Sequence, residues 1–114
     1  MTDCLFCKIA DGKIPTKIEF QDEIAIAFQD INPQAPVHII IIPRKHIPTI
    51  LDIKSDDFGI MGYLYGVTSK VAENKGLNDD GFRLVANCGR SAGQEIQHIH
   101  IHILGGRLFG WPPG

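Results

Sequence analysis

His98-Ile99-His100-Ile101-His102-Ile103-Leu104 alternates imidazole with aliphatic side chains at a period of two. Side chains on a strand alternate between its two faces, and β-branched isoleucine fits a pleated surface. The spacing therefore predicts a strand with three imidazoles on one face and isoleucines entering an apolar core on the other. A helix would scatter both sets around its axis. The chain holds five histidines in all. One of them could be satisfied in a core, but three in phase point to chemistry.

The stretches on either side extend this reading. Gly89-Arg90-Ser91-Ala92-Gly93 forms a flexible loop into the histidine strand, and Gly105-Gly106 ends it. Asp79-Asp80-Gly81 is a turn, and Phe82 to Asn87 alternates enough to be a strand. Upstream, Ser55 with Asp56 and Asp57 reads as a helix start, a capping side chain followed by acids at the positive end of the dipole. The helix is expected to run to about Lys75, with Gly76 just past its end. Ile60, Leu64, Val67 and Val71 form one apolar stripe on it, and Phe58, Met61, Tyr65 and Ala72 a second. Gly59, Gly62 and Gly66 line a third face and suggest a close backbone approach. A helix apolar over most of its circumference is covered on more than one side. A second copy of the chain in a two-fold homodimer would cover it, and the alternative is a monomer whose loops do so.

Nearer the N-terminus, Asp3 is placed to cap a short helix over Cys4 to Ala10, ended by Asp11-Gly12. Ile18 to Phe20 and Ile24 to Phe28 read as a hairpin. A turn-rich loop, Asp30 to Pro36, leads into Val37 to Ile42, a β-branched run expected to be a central strand covered on both faces. Pro43 closes it. One short helix, one long helix and about five strands joined by hairpin-like connections make an α+β fold on an antiparallel sheet.

Composition bounds the function. At 114 residues the chain, 1–114, is expected to be a single domain. A net charge of −2 implies no broad basic surface for nucleic acid. No secretory signal is evident, and no apolar run approaches the roughly 20 residues of a membrane helix. Three cysteines make no disulfide framework, so a reducing, cytoplasmic setting is expected. Cys88 is isolated and expected to be buried.

The histidine row admits two chemistries. Three imidazoles can contribute ligands to zinc, but alternate side chains on a strand lie about 7 Å apart, so further ligands from elsewhere would be needed. Alternatively, an imidazole attacks a phosphorus or acyl centre and forms a covalent intermediate. The preceding glycine loop can aim backbone N–H groups at a phosphate. Asn87 and Gln94 flank that loop and could donate amide hydrogen bonds. Asp30 could accept from a ribose hydroxyl, or simply cap its turn.

His98-Ile-His100-Ile-His102-Ile103-Leu104 resembles the signature of the histidine triad superfamily. Phe6-Cys-Lys-Ile, the stretch from Ala27 to His38, Ile42-Pro-Arg-Lys-His46-Ile, Asn87, Gly93-Gln94 and Gly105-Gly-Arg extend the likeness across nearly the whole chain. The ending Trp111-Pro-Pro-Gly is similar to the Hint branch of nucleoside phosphoramidases. The resemblance implies a five-stranded antiparallel sheet with one long and one short helix, joined into a ten-stranded sheet in a homodimer. It implies a purine nucleoside monophosphate or phosphoramidate ligand. His100 would attack the α-phosphorus of an adenosine 5′-phosphoramidate, expel the amine, and give AMP on hydrolysis. His102 would stabilise the phosphoryl oxygens, with His98 and His38 orienting the row. Asp30 would hold the ribose and Ile31 the base. Asn87, Gly93, Gln94 and Glu95 would line the phosphate. Glu95 replaces the serine of animal relatives, so its side chain is expected to point away from phosphate. Trp111 would reach towards the partner's site, or else simply pack the tail. Catalysis would need no cofactor.

Cys4-x-x-Cys7 calls for two more ligands before it makes a zinc site. His46 and His98 are the candidates, by likeness to related transferases. The competing reading is two small helix residues without metal. Three other functions stay open: a nucleotide-binding regulatory module with incidental hydrolysis, a dinucleoside polyphosphate hydrolase, and a zinc metalloenzyme.

Overall fold

The computed structural model describes residues 3–114. Five strands, β1 (Ile18–Gln21), β2 (Ala25–Gln29), β3 (Val37–Pro43), β4 (Phe82–Val85) and β5 (Ile101–Gly105), form one antiparallel sheet in the order β1-β2-β3-β5-β4. A short helix, α1 (Leu5–Ala10), and a long one, α2 (Phe58–Asn74), pack on its two faces. This is the α+β arrangement expected. Among the described residues no helix is long and apolar enough to cross a membrane.

β3 is the central strand, and its continuous apolar run serves both faces. Ile39 and Ile41 join Ile101, Ile103 and the α2 residues Leu64, Val67 and Val71 in one cluster. Ile40 and Ile42 join Ile26, Phe28 and the α1 residues Phe6 and Ile9 in the other. Arg44, just past β3, ties α1 to the first hairpin. Its guanidinium donates to the Ala10 carbonyl at 2.5 Å and to the Asp22 carbonyl at 2.5 Å.

Leu64, Val67 and Val71 of the first apolar stripe of α2 are buried in the core and Ile60 is half-buried, whereas much of the second faces outward: Phe58 is 66% and Tyr65 63% exposed. A methyl group added at Gly59, Gly62 or Gly66 would meet nothing within 4 Å. Among the described residues, no loop covers this side of the helix. β4 is an edge strand of the sheet.

Several boundaries differ from expectation. Cys4, not Asp3, caps α1, its Sγ accepting from the Cys7 N–H at 3.3 Å. A 3-10 turn, Ser55–Asp57, precedes α2, and Ser55 makes no cap. Instead the buried Asp57 carboxylate accepts from the Lys54 N–H at 3.0 Å and from Lys45 Nζ at 2.5 Å. Cys88 is half-buried rather than buried.

The largest correction concerns the histidine run. Only His102 lies on β5; His98, Ile99 and His100 precede it, and the ladder with β3 stops at Ile41 opposite Ile101. Continuing the register would set His100 opposite Ile42 and Ile99 opposite Pro43, which has no N–H to offer a ladder. The Pro43 carbonyl is occupied as well, accepting from Nε2 of His98 at 2.8 Å. Ile99 turns to the loop beyond, donating its N–H to the Ile47 carbonyl at 2.7 Å.

Candidate active site

His100 and His102 stand side by side with ring centroids 4.9 Å apart. His100 is buried, and its Nδ1–H donates to the carbonyl of His98 at 2.7 Å. That bond fixes the tautomer and leaves Nε2 as a free lone pair. Phe6 packs edge-on against the same ring at 5.0 Å and against His98 at 6.0 Å.

The tautomer of His102 follows from a chain of bonds. The backbone N–H of Gln34 donates to Nδ1 of His38 at 3.0 Å, so neutral His38 carries its proton on Nε2. That nitrogen lies 2.8 Å from Nδ1 of His102 and donates to it. Neutral His102 consequently holds its own proton on Nε2. Asp30 Oδ2 sits 3.4 Å from the same His38 nitrogen. Burial lowers the pKa of His38, against an upward pull from the Asp30 charge. Burial also lowers His100. For His102, burial and then the charges of His100 and His38 push the pKa down to about 4. The row is thus neutral at physiological pH: one ring with a free lone pair, beside a ring with a free N–H.

Both rings line a cavity of about 520 Å³, a volume in the range of small-molecule sites. Its lining combines apolar Leu5, Phe6, Ile9 and Phe28 with Asn87, Gly93, His100 and His102. Among the described residues its only charged lining groups besides histidine are Asp30 and Glu95.

Below the row lies a second cluster. Cys4 Sγ, Cys7 Sγ, His46 Nδ1 and His98 Nδ1 all lie within 4.8 Å of one another. His98 Nδ1 is 3.4 Å from Cys4 Sγ, 3.6 Å from Cys7 Sγ and 3.3 Å from His46 Nδ1, and His46 Nδ1 is 3.3 Å from Cys7 Sγ. A zinc tetrahedron with bonds of about 2.3 Å to sulfur and about 2.05 Å to nitrogen has S–N edges of about 3.5 Å and N–N edges of about 3.3 Å. Four of the six donor–donor distances therefore already match the edges of such a polyhedron, and the other two are within 4.8 Å. His98 gives its Nε2–H to Pro43 and so presents Nδ1 as a lone pair, the form a metal needs. Burial, then the hydrogen bond and charge of Cys4, push the Cys7 thiol up to about 11. A cation among these donors would reverse that shift.

Of the residues singled out in the sequence, Asp30, Ile31, His38, Asn87, Gly93, Glu95, His100 and His102 line one cavity, while Cys4, Cys7, His46 and His98 gather in the cluster. Gln94 has a different task. Its side-chain amide donates to the carbonyls of Pro48 at 2.8 Å and Ile96 at 3.0 Å, and its oxygen accepts from the Gly89 N–H at 2.9 Å. It braces the loop and has no amide proton left for a ligand. Trp111 stands 85% exposed, away from the cavity lining. Two contributors had no role in the sequence reading. Gln34 acts through its backbone N–H, which no residue type reveals. Phe6 sits between the two cysteines, and its signals were that neighbourhood and its place in the Phe6-Cys-Lys-Ile stretch of the family likeness.

The family model described as "Scavenger mRNA decapping enzyme C-term binding" matches residues 3–108. The chain is 45% identical to the purine nucleoside phosphoramidase of Escherichia coli strain K12 over 108 residues, 95% of this chain and 91% of that protein. It is also similar to a crystal structure of a HIT family hydrolase from Legionella pneumophila Philadelphia 1, with 50% identity and a TM-score of 0.96, covering 98% of this chain and 100% of the other. A histidine triad protein from Clostridium difficile superposes with a TM-score of 0.93 at 42% identity, covering 96% of each chain.

Proposed function

The chain belongs to the histidine triad superfamily, in its Hint-like branch, and from that premise we propose that it is a purine nucleoside phosphoramidase, cleaving the P–N bond of adenosine 5′-phosphoramidates. The observation that carries the reading is the free Nε2 of His100 in the cavity, with Nδ1–H held by the His98 carbonyl at 2.7 Å. His100 attacks the α-phosphorus. The P–N bond breaks, its electron pair leaves with nitrogen, and the Nε2–H of His102 is the proton in the row that can meet the phosphoryl oxygens or the departing amine. Water then attacks the nucleotidyl-histidine and AMP is released. Asp30 accepts from the ribose, and the apolar lining of Phe6, Ile9 and Phe28, with the exposed Ile31, takes the purine.

The charge of the lining argues for phosphoramidates over dinucleoside polyphosphates. A polyphosphate chain brings several negative charges, which such sites meet with Lys, Arg or a metal. This cavity offers Asp30 and Glu95 instead. A monophosphate amidate with an amine leaving group is the better electrostatic fit.

Three further features belong to the same proposal. The uncovered face of α2 and the free edge of β4 pair with a second copy in a ten-stranded sheet. Trp111, 85% exposed, then reaches the partner's site. Cys4, Cys7, His46 and His98 hold a structural zinc, which supplies no chemistry to the reaction. Three free cysteines suit a cytoplasmic setting. The test is release of AMP from adenosine phosphoramidate, compared with diadenosine polyphosphate. Turnover of the first and loss of it in His100→Ala is expected; full turnover in His100→Ala would overturn the assignment.

A further inference from the structure

The bonds that set the tautomer of His102 begin on an exposed loop. Their first donor is the backbone N–H of Gln34, 3.0 Å from Nδ1 of His38. Gln34 is itself exposed and lies in residues 30–36, which join β2 to β3. Ile31, the large apolar side chain of that loop, is 96% exposed, so it gives the loop no anchor in the core. Exposed connections with few buried apolar contacts are where a fold opens most easily. A donor in such a place has to be held from outside.

The segment after β5 holds it. Gly106 has a φ of +89°, and a Cβ on it would stand 2.9 Å from Cβ of Pro36, so the two segments meet closely there. Arg107 follows, donating from Nε to the Gln34 carbonyl at 3.1 Å and from Nη1 to the Leu108 carbonyl at 3.0 Å. Its guanidinium lies over the ring of Phe109, 4.2 Å from the centroid. Arg83 of β4 lies over the same ring at 5.3 Å and donates to the Gly110 carbonyl at 2.9 Å. An exposed arginine usually loses much of a bond's worth in ordering its long side chain. Here the Phe109 ring and the Leu108 carbonyl already order it. Gln34 is thus clasped on both sides of its Cα, its N–H by His38 and its carbonyl by Arg107.

We propose that Arg107 is a positioning residue for His102: by holding the Gln34 carbonyl it keeps the Gln34 N–H on Nδ1 of His38, and through His38 it keeps the proton of His102 on Nε2. This rests on the reading of that Nε2–H as the donor to the phosphoryl oxygens or the departing amine. Arg107 is not among the residues lining the cavity, so it acts without touching the ligand. Once the loop swings away, Nδ1 of His38 takes the proton, and Nε2 of His38 then faces His102 as an acceptor. His102 answers by moving its own proton to Nδ1, and its other nitrogen no longer donates. Asp30 Oδ2 opposes this only weakly, because 3.4 Å from Nε2 of His38 is long for a hydrogen bond.

The test compares the full chain with Arg107→Ala, Arg107→Lys, His38→Ala and the variant carrying both Arg107→Ala and His38→Ala. Three quantities are read: the nitrogen NMR shifts of the His102 ring, the single-turnover rate of nucleotidyl-histidine formation, and the AMP dissociation constant. In Arg107→Ala the rate is expected to fall about 3- to 10-fold, within the reach of one hydrogen bond's net worth. AMP affinity stays within about twofold, the mark of an effect on the transition state. The His102 ring shifts move towards the form protonated on Nδ1. Arg107→Lys keeps the charge but lacks the planar fork that meets two carbonyls, so it loses most of the same rate. In the His38→Ala background the Arg107 change costs nothing further, because both residues act along one path. Full rate in Arg107→Lys would make the effect one of charge and overturn the proposal. Equal losses with and without His38 would overturn it, as would a lower melting temperature with unmoved ring shifts and rate. Ring shifts that move in a protein that turns over no phosphoramidate would uphold the positioning and remove the phosphoramidase reading instead.

Discussion

Replacing His38 by alanine tests whether a tautomer, rather than a charge, makes His102 useful. With its pKa pushed down to about 4, His102 is protonated in only ~0.1% of molecules at neutral pH. It therefore acts as a neutral ring, and what matters is which nitrogen carries the proton. The structure assigns this through Gln34 N–H to His38 Nδ1 at 3.0 Å and His38 Nε2–H to His102 Nδ1 at 2.8 Å. Removing His38 leaves Nδ1 of His102 without a donor. An acceptor left unpaired inside a protein costs ~1–3 kcal/mol; because His102 is only half-buried, the lower part of that range, ~1–2 kcal/mol, applies. The ring can escape the cost by moving its proton to Nδ1, and the donor facing the substrate is then gone. Converted at 1.36 kcal/mol per decade, the chemical step slows by about 5- to 30-fold.

Rapid-quench measurement of nucleotidyl-histidine formation would show this, with AMP affinity measured separately and circular dichroism checking the fold. The AMP dissociation constant is expected to change little, because His38 donates to His102 and not to the ligand. His38→Gln, which returns an N–H donor, recovers part of the rate. A single-turnover rate within about twofold of wild type in His38→Ala would refute the relay, since that is below the cost of the smallest unpaired acceptor. A loss confined to AMP binding would refute it equally.

Other expectations can be measured on the same protein. Burial lowers His38, His98, His100 and His102, so the unfolded chain binds more protons than the folded one below about pH 6.5. Stability of the metal-free protein therefore falls as pH drops from about 6.5 towards about 4, with His102 alone contributing about 1 kcal/mol after allowance for solvent screening. Urea midpoints that rise on acidification through this window would contradict it. Glu95→Gln removes one of the two negative charges lining the cavity and is expected to tighten AMP binding about twofold at low salt, with the gain lost at high salt; weaker binding at every salt concentration would contradict it. Gly105→Ala places a methyl carbon 2.6 Å from Leu77 Cδ2 in the buried core. It is expected to destabilise the fold by ~1–3 kcal/mol, and an unchanged melting temperature would show that Leu77 can move aside freely.

What the sequence made legible divides along a physical line. A continuous β-branched run located the central β3 strand, helical spacing the long α2 helix and period-two spacing the strand beginning at Ile101, because burial of apolar surface sets those patterns directly. Spacing failed at His98 and His100, which keep the rhythm of a strand but have no ladder. The cause lies in residues far away in the chain: Pro43, which cannot donate, and Ile47, whose carbonyl takes the Ile99 N–H instead. Gln94 and Gln34 failed for a related reason. A glutamine beside a glycine loop looks like a ligand donor, yet the structure consumes its amide within the loop. The Gln34 contribution is a backbone N–H, which any residue except proline could make. Charged and polar side chains announce chemistry in a sequence, but they do not announce who has already claimed their hydrogen bonds. The irregularity at His98 follows from the same accounting. A histidine on a regular strand would have its carbonyl available to a neighbouring strand; freed from the ladder, the His98 carbonyl can hold the ring of His100 instead, and the break in the sheet is what orients that side chain.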